Sequence, residues 1–267
     1  MSTEMVSVGG QRLRVRRTGR GEPLLLIMGL GGCIESWDPL TRRLKGRELI
    51  RVDHPGMGKS PAPALPVLMP GIAQLYVQLL DTLGYQRVDV LGYSFGGTVA
   101  QQMAVQHPER IKRLVLAATA CGWGGVPMKW SAAMASSPLR FYSLTTRESV
   151  APYLYAGRTG REPARLANEV VPRPSMRGLM YQLAAYSMWT SLPWLHRILH
   201  ETLVLAGEED PMAPARNSAL LARRIPNATL HVLPRSGHLF LFDETETVVP
   251  LLDQFLGSPG STALKAV

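Results

Sequence analysis

The sequence predicts an α/β fold: a mostly parallel eight-stranded sheet, helices on both of its faces, and a helical cap inserted late in the chain. Three observations carry this reading. Short, continuously apolar runs alternate with helical stretches, as expected of strands covered on both faces. The alternation stops from about residue 121 to residue 200, where Trp, Tyr, Met and Pro are frequent and no buried-strand pattern appears. Small-residue turns follow several of the runs, where an open parallel sheet keeps its reactive loops.

Taken in order, Val6-Ser7-Val8 turns at Gly9-Gly10 into Arg12-Leu13-Arg14-Val15-Arg16, a hairpin with strict alternation and one wet face. Leu24-Leu25-Leu26-Ile27-Met28 is a doubly covered strand that ends in Gly29-Leu30-Gly31-Gly32. A helix is expected from Trp37 to Lys45, a strand over Glu48-Leu49-Ile50-Arg51-Val52, and a helix from Ile72 to Leu83 after a loop holding Pro61, Pro63, Pro66 and Pro70. Strand Arg87 to Leu91 then meets helix 95–107 through Gly92-Tyr93-Ser94-Phe95-Gly96. Strand Arg113 to Ala117 follows. After the interruption the rhythm resumes with strand Thr202 to Ala206, helix 215–224, strand Thr229 to Leu233 and helix 245–256. Residues 1–120 and 201–257 are therefore expected to form the core and 121–200 the cap, with 258–267 a loose tail.

Bulk properties narrow the function. At 267 residues, 46% hydrophobic and 18% charged, the chain can bury one full core. Its longest apolar run, Pro23 to Leu30, is too short to cross a bilayer, and no secretory signal is visible, so a cytoplasmic protein is expected. Cys33 and Cys121 make neither a disulfide framework nor a metal-ligand spacing. The net charge of +9 is spread over scattered Arg residues without a basic run, and no nucleic-acid partner is expected. Two cofactor motifs fail on inspection. Asp53 stands where the phosphate loop ending Gly58-Lys59-Ser60 needs glycine, and Ile34 stands where a dinucleotide fingerprint needs its third glycine. No cofactor and no metal are expected.

A G-x-S-x-G turn between a strand and a helix is a nucleophile elbow, which lifts the Ser94 hydroxyl out of the sheet edge. Serine needs a base, and the base needs a carboxylate to orient it. The strand ending at Ala206 leads into Gly207-Glu208-Glu209-Asp210-Pro211, and the strand ending at Leu233 leads into Pro234-Arg235-Ser236-Gly237-His238. The order Ser, Asp, His suits such a triad. Glu208 and Glu209 compete with Asp210, which Pro211 favours by ending the turn rigidly. His238 is the only histidine in a small-residue loop directly after a late core strand; a structural role fits His54 better. The amides of Phe95 and Leu30 are the expected oxyanion donors, one at a helix N-terminus and one in the glycine-rich loop.

These residues resemble the α/β-hydrolase superfamily. Further segments extend the likeness: Leu114-Val-Leu-Ala-Ala-Thr-Ala120, Trp189-Thr190-Ser191, Trp194-Leu195-His196, Leu203-Val-Leu-Ala-Gly207, Arg224-Ile225-Pro226-Asn227-Ala228 and Gly237-His238-Leu239-Phe240-Leu241. Together they resemble intracellular medium-chain-length poly(3-hydroxyalkanoate) depolymerases over nearly the whole chain. The resemblance implies a metal-free serine hydrolase of aliphatic polyester with Ser94 as nucleophile, Asp210 as acid and His238 as base. Two positions depart from the pattern: Phe95 stands where tryptophan is frequent, and Met28-Gly29 where many relatives have His-Gly. Both changes keep the backbone donors.

Gly29, Trp189 and Leu239 are the expected substrate-binding residues. The apolar cap set Trp123, Trp130, Met134, Phe141, Tyr142, Met176, Met180, Tyr181, Met188, Trp189 and Trp194 suits a greasy substrate or a hydrophobic granule surface, with at least half expected to pack onto the core. A soluble ester, lactone or thioester is the alternative substrate. A catalytically silent binding module is disfavoured by the intact triad, and a dehalogenase or epoxide hydrolase by Ser94, where those enzymes use Asp.

Overall fold

The computed structural model describes residues 2–164 and 173–257. Eight strands form one sheet: β1 (Ser2–Val8), β2 (Gln11–Gly19), β3 (Glu22–Ile27), β4 (Arg47–Val52), β5 (Val88–Tyr93), β6 (Ile111–Ala117), β7 (Thr202–Gly207) and β8 (Ala228–Leu233), in the order β1-β2-β4-β3-β5-β6-β7-β8. The hairpin β1–β2 and the pair β2–β4 are antiparallel, and all later pairs are parallel. From β3 the chain steps out to β4 and then returns to the other side of β3 as β5. This reversal leaves a crevice beyond the carboxyl ends of β3 and β5, the place where open α/β sheets bind ligands.

The uninterrupted apolar strands are indeed covered on both faces. Alternate residues Leu25, Ile27, Val90, Leu114, Leu116 and Val204 pack against α2 (Met69–Thr82), α3 (Phe95–Gln106) and α8 (Ala215–Arg224). Their neighbours Leu24, Leu26, Leu91, Val115, Leu203 and Leu205 pack against Trp37, Leu40 and α10 (Thr245–Leu256). Each such fully buried Leu or Ile stabilises the fold by about 2 kcal/mol.

Helices α8 and α10 have the expected bounds. The helix expected from Trp37 to Lys45 is shorter: a 3-10 turn, Ile34–Trp37, leads into α1 (Asp38–Thr41). Beyond α1 the Arg43 amide bonds back to Leu40 O, only three residues away, which closes the helix in tight turns. Trp37, Leu40 and Leu44 still face the core.

Between 121 and 200 the chain forms α4 (Trp130–Ala135), α5 (Leu144–Leu154), α6 (Gly157–Arg161) and α7 (Met176–Ser187). Among the described residues of this segment the only β contact is an isolated bridge, Gly122 with Thr190. Of its eleven large apolar side chains singled out above, six are exposed: Trp123, Trp130, Met134, Met176, Met180 and Met188. The expectation that at least half would pack inward therefore fails. A four-residue helix not foreseen, α9 (Phe240–Asp243), directly follows the loop that carries His238. The tail, 258–267, lies outside the described residues.

Among the described residues no helix is long and apolar enough to cross a membrane. Both cysteines are buried and free.

Candidate active site

Ser94 sits between the last residue of β5 and the first of α3 with φ 53° and ψ −119°. This left-handed backbone is costly for a non-glycine residue, about 1–3 kcal/mol, and survives only where its surroundings enforce it. They do so at three points. The Ser94 amide donates to Ala117 O at 2.9 Å, its carbonyl accepts from Thr119 Oγ1 at 2.7 Å, and the Gly97 amide donates to the same carbonyl at 2.9 Å. Gly96 is required here, because a Cβ at that position would collide with the Ile27 carbonyl oxygen at the end of β3.

The loops after β7 and β8 bring the remaining groups together. His238 Nε2 lies 3.1 Å from Ser94 Oγ, and its Nδ1 lies 2.7 Å from Asp210 Oδ2. A carboxylate only accepts, so Nδ1 carries the proton and a neutral imidazole presents Nε2 as acceptor to the serine hydroxyl. Asp210 is itself held by the amides of Met212 and Ala213, both 2.9 Å from Oδ1. Its rivals are engaged elsewhere: Glu208 accepts from the Arg235 amide, and Glu209 pairs with Arg161 at the surface. Asp210 and His238 are both buried.

The segment between 121 and 200 braces this loop. Tyr155 O accepts from the His238 amide at 2.6 Å, while the Tyr93 hydroxyl donates to His238 O at 3.1 Å. A Cβ on Gly237 would strike Tyr155 O, so only glycine lets the two chains pass this closely.

Phe95 is the first residue of α3, so its amide is one of the helix-end donors that have no acceptor within the helix. Leu30 lies in the turn that Gly32 N closes onto Gly29 O at 3.2 Å. The Gly31 amide donates to Gln182 Oε1 of α7 at 3.4 Å, which ties the turn to the segment above it. From below, His54 Nε2 donates to Met28 O at 2.9 Å and Tyr76 Oη donates to His54 Nδ1 at 3.0 Å. Burial lowers the His54 pKa to about 4, against the opposing bond to Met28. His54 thus has the structural position expected of it.

Two cavities meet at Ser94 and His238. One, of about 430 Å³, is walled in part by Gly29, Leu30, Phe141 and Leu239. The other, of about 140 Å³, is walled mainly by apolar side chains, among them Phe95, Leu179, Leu183 and Met212. Gly29 and Leu239, two of the three residues expected to bind substrate, thus line the larger cavity. Trp189 does not, and its reading is corrected. It lines neither cavity, is 6% exposed, packs edge-on against Trp194, and donates its indole N–H to Gln102 Oε1 at 2.8 Å. An indole buried on the core needs an acceptor for its one polar atom, and α3 supplies it.

Cys33, Glu35 and Asp53 form the one group of possible metal ligands among the described residues. Arg14 already bonds both carboxylates. Burial, with the adjacent Glu35, pushes the Cys33 thiol up to about 12, so the thiolate a metal needs is disfavoured. Burial also raises the Glu35 carboxyl, but hydrogen bonds from Arg14 and Cys33 outweigh it and bring it to about 2.

The arrangement joins a hydroxyl, an imidazole acceptor and an oriented carboxylate beside two candidate amide donors. That set can carry out acyl transfer. Residues 22–245 match the family model described as alpha/beta hydrolase fold. The chain is 44% identical over 242 residues to a poly(3-hydroxyalkanoate) depolymerase of Ectopseudomonas oleovorans, covering 88% of this chain and 84% of that protein. It is 30% identical to a 2-hydroxymuconate semialdehyde hydrolase of Pseudomonas putida, covering 94% and 92% of the two chains. Among solved structures, a hydrolase from Pseudomonas aeruginosa PA01 superposes with a TM-score of 0.80 at 27% identity, covering 96% and 98%.

Proposed function

The chain belongs to the alpha/beta hydrolase fold family, and from that premise we propose that it is a serine carboxylester hydrolase acting on aliphatic polyesters or their oligomers. The observation that carries this is the position of His238 between Ser94 and Asp210, 3.1 Å from one and 2.7 Å from the other. Ser94 Oγ attacks the ester carbonyl while His238 Nε2 takes its proton, and Asp210 steadies the imidazolium. The Phe95 and Leu30 amides hold the oxyanion. The C–O bond breaks, His238 gives the proton to the departing alkoxide, and an acyl-enzyme remains. Water, deprotonated by His238, then releases the acid and restores Ser94.

The division of labour is part of the same proposal. Residues 1–120 and 201–257 act as the catalytic core, and 121–200 act as a cap that walls the cavities and braces the His238 loop. The exposed Trp123, Trp130, Met134 and Met188 give the cap an apolar outer surface, suited to docking on a hydrophobic polymer granule in the cytoplasm. A soluble small ester, lactone or thioester is the second reading. The observation in its favour is the cavity of about 430 Å³, a size that holds a compact molecule.

Clearing of a medium-chain-length polyhydroxyalkanoate emulsion, run beside p-nitrophenyl ester hydrolysis, tests the proposal. The wild-type protein should do both and Ser94→Ala neither. Turnover of small esters with an uncleared emulsion would select the second reading, and wild-type rates in Ser94→Ala would overturn the nucleophile.

A further inference from the structure

Arg140 is a buried cation to which this mechanism gives no task. It sits in the 3-10 turn Pro138–Phe141, is 5% exposed, and lines both cavities together with Ser94 and His238. Its contacts among the described residues are all neutral. Nη1 donates to Ser137 O at 3.2 Å, the guanidinium carbon lies 4.4 Å from the centre of the Phe141 ring, and the nearby Tyr155 hydroxyl favours the charged form. Nε is buried and has no hydrogen-bond partner among the described residues. Among the described residues no carboxylate pairs with it. The acids nearest the reaction are committed elsewhere: Glu35 to Arg14 and Arg16, Asp38 to Arg51, and Asp210 to His238.

A buried charge without a counter-ion is expensive, and burial accordingly pulls this guanidinium's pKa down. Arginine nonetheless remains cationic at neutral pH. Stacked on Phe141, its planar fork is already oriented, with nitrogen donors still unused. Such a fork matches a carboxylate, which it binds through two parallel hydrogen bonds.

We propose that Arg140 binds a carboxylate carried by the substrate, so that the preferred substrate is a hydroxyacid oligoester with a free acid end and the bond cut is the ester next to that end. The proposal rests on the ester-hydrolase reading above. In a 3-hydroxyacid ester only two carbons separate the ester oxygen from the carboxyl carbon of the terminal unit. A carboxylate receptor must then lie in the same cavity as the nucleophile, as Arg140 does with Ser94. Attack by Ser94 expels that terminal unit as an alkoxide, which takes the proton from His238 and leaves as the free hydroxyacid. The remaining chain stays on Ser94 until water releases it with a new carboxylate end, ready for the next cycle.

The test compares the 3-hydroxyoctanoate dimer with its methyl ester, which offers the same scissile bond without the charge, using p-nitrophenyl octanoate as the uncharged reference. Wild-type kcat/KM should favour the free acid at least about ten-fold, mostly through KM, because a charge-assisted bidentate pair is lost in the methyl ester. In Arg140→Gln that ratio should fall to near one, and Arg140→Lys should recover part of it. A wild-type ratio near one overturns the assignment without needing a variant that folds, as does an unchanged ratio in a folded Arg140→Gln. Either result with p-nitrophenyl octanoate still hydrolysed refutes only the carboxylate site. No hydrolysis of any of the three esters refutes the ester-hydrolase reading with it.

Discussion

Acid should loosen the loop after β3 through one imidazole. His54 is enclosed between Met28 O and the Tyr76 hydroxyl. Because a carbonyl can only accept, Nε2 carries the proton and Nδ1 must stay unprotonated to accept from Tyr76. Burial takes the His54 pKa from its ordinary 6.5 to about 4. In the unfolded chain the same side chain takes up a proton as pH falls through 6.5, whereas the folded protein resists until about pH 4. The stability linked to neutral His54 is therefore fully present above pH 6.5 and is lost as pH falls from 6.5 to about 4. At about 1.36 kcal/mol per pH unit, the whole window is worth about 3 kcal/mol. His54→Gln removes the titration and keeps an N–H donor for Met28 O. Urea unfolding of both proteins between about pH 7.5 and about pH 4.5 reads the difference. The stability gap between them should shift in favour of the variant by about 2.5 kcal/mol on acidification. Parallel pH profiles would refute the buried, neutral imidazole and the loop support derived from it.

Two further substitutions separate catalysis from packing. Asp210→Asn keeps the shape of the loop but no longer holds the proton on His238 Nδ1, so kcat on p-nitrophenyl esters should fall by roughly 10³–10⁴-fold with little change in KM; a fall below ten-fold would remove Asp210 from the triad. Trp189→Phe loses the bond to Gln102 and should lower stability by about 1–2 kcal/mol in urea unfolding. The acyl-chain preference should stay as in wild type, and a shifted preference would return Trp189 to the substrate pocket.

What the residues disclosed in advance follows from where their determinants lie. The runs Leu24 to Met28 and Leu203 to Ala206 are apolar at every position because helices cover both faces, a local signature of parallel strands. The elbow is legible for the same reason, since strand, small-residue turn and helix are contiguous. Asp210 and His238 could be chosen because each follows a core strand in the chain. Trp189 is not legible, because an aromatic residue within 121–200 looks the same in sequence whether it faces a ligand or Gln102. The roles of Arg140, Tyr155 and Gln182 depend on contacts between remote segments, such as His238 N with Tyr155 O and Gly31 N with Gln182 Oε1. No periodicity in 121–200 announces those contacts. The Arg14, Glu35 and Asp53 network is hidden likewise, because it joins β2 to the loops following β3 and β4.

In the proposed reaction Ser94, activated by His238, is the acylated nucleophile. The most direct test is to treat the protein with a p-nitrophenyl alkylphosphonate, which traps an activated serine, and to locate the adduct by peptide mass spectrometry. One adduct per chain is expected, on Ser94, formed in step with the loss of esterase activity and absent from His238→Ala. Esterase activity that survives full modification of Ser94, or inactivation with the label on another residue, would contradict it.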